Sequence, residues 1–216
     1  MSKTKPNPIK FNQDKTYVVA VSGASGSIYG IRLIKALAES GARVLVILSH
    51  AGCKVLAHEM GMPPMGMDPG HSFLDFLVQY GVEEDQLDRV DIFTQDQIAS
   101  APASGSFVHN GMAVVPCSMK TLSAVASGYA DNLITRSCDV SLKEKRPLVL
   151  VPRETPLGLI HLENMVRSCR AGAVILPPAP SFYSFPATME DLVDTVVARI
   201  LDHLGAVHNL VERWEG

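Results

Sequence analysis

The segment Tyr17-Val-Val-Ala-Val-Ser22 constrains the fold more than any other: it is short, β-branched and apolar at every position before its final serine. A strand of that kind has no face to give to water, so it belongs inside a sheet covered on both sides. It runs into glycines and then into a helical pattern, with Ile31, Ile34, Leu37 and Ala38 recurring until Gly41, a C′ stop. Arg43-Val-Leu-Val-Ile-Leu-Ser49 follows as a second strand, and Ala113-Val-Val-Pro116, Leu148-Val-Leu-Val-Pro152 and Ala173-Val-Ile-Leu-Pro177 read the same way. The last three are followed by helix candidates, Thr121 to Ser127 closing at Gly128, Gly158 to Arg170, and Met189 to Leu204. Strands of this type alternating with helices predict an α/β fold, a parallel sheet with helices on both faces. A chain of 216 residues holds one such core, and no repeat or linker divides it. Two stretches depart from the rhythm: Gly61 to Gly70 is rich in turn formers, and Ile98 to Phe107 is a loop of small residues.

Several function classes are excluded at this level. A net charge of −3 offers no electrostatic footprint for nucleic acid or for an anionic membrane surface. The apolar runs fall far short of the roughly 18 residues that a bilayer span needs. The opening Met-Ser-Lys-Thr-Lys-Pro-Asn-Pro-Ile-Lys has charge but no apolar stretch, which reads as a flexible tail over residues 1–15 on a cytoplasmic protein, with the domain over 16–216. Cys53, Cys117, Cys138 and Cys169 form no C-x-x-C, and none of the seven histidines forms H-x-x-x-H, so no metal is expected.

In open α/β sheets ligands bind beyond the carboxyl ends of the strands. After the first strand, Gly23-Ala-Ser-Gly26-Ser-Ile-Tyr-Gly30 opens a helix whose free N–H groups suit a phosphate or another anion. It is not the G-x-G-x-x-G fingerprint, and Leu48-Ser49-His50 supplies no acidic residue for an adenosine ribose, which points away from NAD. Glycines serving only a tight turn are the plainer alternative. Cys117-Ser118-Met-Lys-Thr121 places hydroxyls at another helix start, where Ser118 is an N-cap or, with the first helix start, part of a mononucleotide site. Arg136 and Lys143 lie two turns apart on one helix face, where cations ordinarily answer the macrodipole. Val151-Pro152-Arg153-Glu154-Thr155-Pro156 fixes an arginine and a carboxylate between prolines at a strand end, a functional arrangement. Phe182, Tyr183 and Phe185 lie among prolines, as a pocket lining or a core plug. Arg199 by default is solvated and Trp214 packs.

Taken together, GASGSIYG, SGSF, PCSMKTLSAVASG, DNLITRSCDVSLKEKRPLVLVPRETP, HLENM, GAVILPPAPSFY and DLVDTVVARIL resemble the flavin prenyltransferase family, known as UbiX or Pad, from Tyr17 onward. The resemblance implies a Rossmann-like, flavodoxin-type fold assembled as a homododecamer with sites at subunit interfaces. It implies transfer of a dimethylallyl group from dimethylallyl monophosphate to N5 and then C6 of reduced FMN. The product, prenylated FMN, serves a UbiD-type decarboxylase in ubiquinone biosynthesis or aromatic acid decarboxylation.

By the same resemblance Gly23, Ala24, Ser25, Ser49, Ser118, Thr121 and Arg153 match FMN contacts. Arg136, Lys143, Arg153, Tyr183 and Arg199 match residues around the prenyl phosphate, Trp214 a wall near the prenyl group, and Glu59 and Glu154 the acidic active-site residues. Met119 and Lys120 receive no role. The chemistry agrees: several fixed cations and a phenol can stabilise a leaving phosphate without a metal. N5 and C6 must each lose a proton, which calls for a base, Glu59 or the departing phosphate, with Glu154 and Ser25 relaying or orienting. Two alternatives stand beside this reading: an FMN-dependent cysteine decarboxylase of the related flavoprotein group, whose Pro-x-Met-Asn motif is absent here, and a non-catalytic FMN carrier.

Overall fold

The computed structural model describes residues 12–64, 69–183 and 185–212. Six parallel strands, β1 (Thr16–Val21), β2 (Arg43–Leu48), β3 (Val90–Thr94), β4 (Gly111–Cys117), β5 (Leu148–Pro152) and β6 (Val174–Ile175), form one sheet in the order β3-β2-β1-β4-β5-β6. That is the doubly wound Rossmann order, and the chain reverses its direction of winding between β1 and β4. The β1 strand is central, with Val19 beside Val46 on one flank and Ala113 on the other.

Among the described residues eight α-helices cover the sheet: α1 (Ser27–Glu39), α2 (His50–Met60), α3 (Pro69–Gln79), α4 (Glu84–Leu87), α5 (Met119–Ser127), α6 (Leu133–Lys143), α7 (Leu159–Ala171) and α8 (Met189–Leu204). Because side chains alternate along a strand, Val19 and Val21 pack with Leu33, Leu37, Val197 and Leu201 of α1 and α8, whereas Val18 and Ala20 pack with Leu122, Leu133 and Cys138 of α5 and α6. Thus α8 and α6 cover opposite faces. The guanidinium of Arg32 donates two hydrogen bonds to Asp194, 2.6 and 2.9 Å, tying α1 to α8.

The predicted parallel sheet with helices on both faces is present, and α8 spans the stretch the periodicity marked, Met189–Leu204. The turn-rich stretch is irregular over 61–64 and enters α3 at Pro69, with 65–68 outside the described residues. The tail expected to reach residue 15 is tied down from Asn12: this side chain is buried, its amide donates to the Val207 carbonyl at 3.0 Å, and its backbone N–H donates to the Ser40 carbonyl at 3.0 Å. A buried amide has to be paired, and here pairing fixes the entry to β1. Among the described residues no helix is long and apolar enough to cross a membrane.

Candidate active site

The reversal between β1 and β4 leaves a crevice at the carboxyl ends of those strands, and Ser22 stitches its floor. The Ser22 hydroxyl donates to the Pro116 carbonyl at 2.9 Å and accepts from the Ser118 N–H at 2.8 Å. A cleft of about 310 Å³ opens above it, lined by Gly23, Ser49, Ser118, Lys120 and Thr121, with Gln95 and Asn132 on its far side.

Three helix starts border this cleft, those of α2 and α5 and, through its N-cap Asn132, that of α6. At α2, Ser49 Oγ accepts from the Gly52 N–H at 2.8 Å, and the first turn crosses so close over β1 that a Cβ on Gly52 would lie 2.5 Å from the Val21 carbonyl oxygen. At α5, Ser118 Oγ accepts from the Thr121 N–H at 3.3 Å and lies 3.0 Å from the Thr121 hydroxyl. Lys120, which the sequence reading leaves unassigned, is the cation among the residues lining this cleft. Its signal was its place in the first turn of a helix that opens on a hydroxyl cap. Hydroxyls, helix-start N–H groups and one ammonium suit a phosphate with its sugar-like chain, and Ala51, Ala124 and Ile134 give a flat ring an apolar side. The residues present therefore fit a flavin mononucleotide.

The start of α1 differs from expectation. Gly26, held at φ +103° where only glycine is unstrained, precedes α1, and the N–H groups there point at the carboxylate of Glu59 near the end of α2. Glu59 Oε2 accepts from Ser27 N at 2.9 Å and from Gly26 N at 3.1 Å, while Oε1 lies 3.2 Å from Gly26 N. Burial alone would raise this carboxyl. Hydrogen bonding from the Ser25 hydroxyl and the Ser27 and Gly26 N–H groups outweighs it and holds Glu59 below the usual carboxylate range. The loop read as a cradle for a ligand's anion therefore holds one of the protein's own, and Ala24, buried within the same loop, donates its N–H to the Ser22 carbonyl at 2.9 Å.

A second hollow, about 230 Å³, lies at the ends of β5 and β6 between Arg153, Glu154 and Thr155 on one side and Pro177, Pro178 and Ala179 on the other. It adjoins the crevice, because Arg153 N donates to the Cys117 carbonyl at 3.3 Å. Glu154 is exposed, and its Oε1 accepts from Thr155 N at 2.9 Å.

The remaining cations do not converge within one chain. Arg136, on α6, donates to Asp139 at 2.6 Å and to the Ala103 carbonyl at 3.3 Å, and Lys143 stands 3.6 Å from Glu144. Arg199 pairs with Asp202 at 2.8 Å on α8, across the sheet. Tyr183 is 74% exposed, and Trp214 lies outside the described residues. Among the described residues no group of three or more His, Cys, Asp and Glu is placed to hold a metal ion.

Comparison with known proteins accounts for this geometry. Residues 8–201 match the family model described as Flavoprotein. The flavin prenyltransferase UbiX of Pseudomonas aeruginosa is 47% identical over 201 residues, 91% of this chain and 92% of that protein. A crystal structure of UbiX (PadA1) in complex with FMN and dimethylallyl pyrophosphate superposes with a TM-score of 0.81 at 39% identity, covering 94% of this chain and 98% of the other. A dodecameric FMN-dependent UbiX-like decarboxylase from Escherichia coli O157:H7 gives a TM-score of 0.78 at 38% identity, covering 93% and 100%. The chain belongs to the flavoprotein family and, within it, to the flavin prenyltransferases.

Proposed function

We propose that this protein joins the dimethylallyl group of dimethylallyl monophosphate to N5 and C6 of reduced FMN, and that its product serves a UbiD-type decarboxylase. The observation that carries the reading is the crevice at the β1–β4 reversal, with Ser49, Ser118, Thr121 and Lys120 around a cleft of mononucleotide character. These four take the FMN phosphate and its chain, because the N–H groups of α1 are already given to Glu59. Gly23 lines the cleft, and with it Ala24 and Ser25 are assigned to the flavin, as is Arg153 from the adjoining hollow.

Breaking an allylic C–O bond sends negative charge to the departing phosphate, so the cations belong at that end. Arg136, Lys143, Arg153, Arg199 and Tyr183 are assigned to it, with Trp214 against the prenyl group. Since α6 and α8 cover opposite faces, Arg136 and Arg199 meet at one phosphate only when different copies contribute them. The assembly is accordingly a homo-oligomer, and the dodecamer of the Escherichia coli relative supports a homododecamer. Packing of copies over the cleft also excludes water from the carbon that develops positive charge. Glu59 accepts a flavin proton, Ser25 orients it, and Glu154 relays from the second hollow.

The test is anaerobic. Protein, reduced FMN and either dimethylallyl monophosphate or the pyrophosphate are incubated, and the released flavin is weighed by mass spectrometry. A flavin heavier by one dimethylallyl unit, formed from the monophosphate, is expected. Unmodified FMN recovered from an active reductant and fresh donor would instead favour the cysteine-oxidising group or a flavin carrier.

A further inference from the structure

Glu59 sits 32 residues from Ser27 in sequence, yet its carboxylate is the group that satisfies the start of α1. Helix α1 has no side-chain cap from its own N-cap residue, because that residue is Gly26. The first N–H groups of a helix carry the positive end of its dipole, so a carboxylate placed on them is stabilised as an anion and also aimed. Gly26 N is shared between the two oxygens at 3.1 and 3.2 Å, Ser27 N donates to Oε2 at 2.9 Å, and the Ser25 hydroxyl also bonds the carboxylate.

We propose that the backbone N–H groups of Gly26 and Ser27 are positioning groups for catalysis, clamping the Glu59 carboxylate so that it stays ionised and aimed to receive the proton displaced by the prenyl group. This rests on the prenyl-transfer reading above. In the step concerned, the allylic C–O bond breaks with its electron pair leaving on phosphate, the C–N bond to N5 forms, and the N5 proton moves to the Glu59 carboxylate. A weakly basic carboxylate suffices there, because a nitrogen that has just gained a fourth bond is strongly acidic. What the clamp adds is a carboxylate that is never protonated beforehand and never turned away. Gly26 is required at its position by its positive φ, and Ser27 donates its N–H to the carboxylate.

Ser27 is the first helical residue, so Ser27→Pro deletes one clamp donor, but its ring must fit a buried site and follow Gly26 in the left-handed region, and Gly26→Ala is therefore carried in parallel. Prenyl transfer is measured for Ser27→Pro, Glu59→Gln and the Ser27→Pro/Glu59→Gln double variant, with FMN affinity alongside. We expect Ser27→Pro to lose roughly tenfold in kcat, with no further loss in the Glu59→Gln background. The acid limb of the Ser27→Pro pH profile should also move to higher pH, which a merely structural defect would not produce. Equal fold-losses in both backgrounds, or an unchanged Ser27→Pro rate and profile, would overturn the clamp. Should Ser27→Pro fail to fold, Gly26→Ala carries the same cycle, since a Cβ at φ +103° tilts both N–H groups. Wild-type protein run alongside separates the two ideas: no prenylated flavin from it would refute the transferase reading itself.

Discussion

His109, in the loop before β4, is 3% exposed. Burial, reinforced by the nearby Arg146 guanidinium, outweighs a backbone hydrogen bond at Gly111 and pushes its pKa from 6.5 down to about 4. The sign follows from proton counting. Between those values the unfolded chain binds a proton that the folded chain refuses, so stability is lost as pH falls from 6.5 towards 4. The whole gap is worth about 3 kcal/mol, of which about 2 kcal/mol is gone by pH 5. Replacing the ring with a group that never titrates, His109→Leu, removes that dependence. Thermal unfolding of both proteins at pH 7.5 and pH 5.0 reads the difference, and the drop in Tm on acidification should be smaller in the variant by about 4–8 °C. Other titrating groups are common to both chains and cancel. Parallel Tm-against-pH curves would refute the account, because a histidine that charges freely in the folded state gives no differential.

Three further outcomes follow from packing and burial. Gly52→Ala puts a methyl group 2.5 Å from the Val21 carbonyl oxygen and 3.0 Å from Ser49 Oγ, so α2 must lift; about 1–3 kcal/mol of stability and roughly tenfold in FMN affinity should go, and an unchanged fluorescence titration would sink the close-approach argument. Arg32→Ala leaves the half-buried Asp194 without its two-pronged partner and should cost about 1–2 kcal/mol in chemical denaturation, whereas an identical midpoint would mean that α1 and α8 are held by apolar packing alone. Burial pushes the Cys117 thiol up to about 12 and raises Cys138 well above its ordinary value, so neither should react with an aromatic disulfide at pH 8 until the chain unfolds; peptide mapping that finds Cys117 modified in folded protein would contradict the placement.

The inner strands were legible because both their faces are covered, which leaves an uninterrupted aliphatic run as their mark. The β3 strand was not, because it is an edge: Asp91 pairs with Arg43 at 2.7 Å, and such polar residues interrupt the run that identified the others. Helix α2 buries only Gly52 and Leu56, so it shows no apolar stripe, and tertiary contact with the sheet end holds it. In α3 the signal was present, Phe73, Phe76 and Leu77 at helical spacing, hidden behind the proline and glycine residues before it. At the site, Ser49 and Ser118 were readable from their places after strands. The partnership of Glu59 with Gly26 and Ser27 was not, since no local pattern links a carboxylate to a helix start so far away in sequence.

Arginines on opposite sides of one sheet make the protein's lesions separable in mixtures. Where a site draws Arg136 from one copy and Arg199 from another, a chain disabled at Arg136 and a chain disabled at Arg199 rescue each other on co-assembly. At equal amounts and random association, about a quarter of the sites would hold both arginines intact. Two inert preparations, unfolded together and reassembled, would then yield a working enzyme, and a carrier of two different defective alleles would keep partial activity that neither allele supports alone.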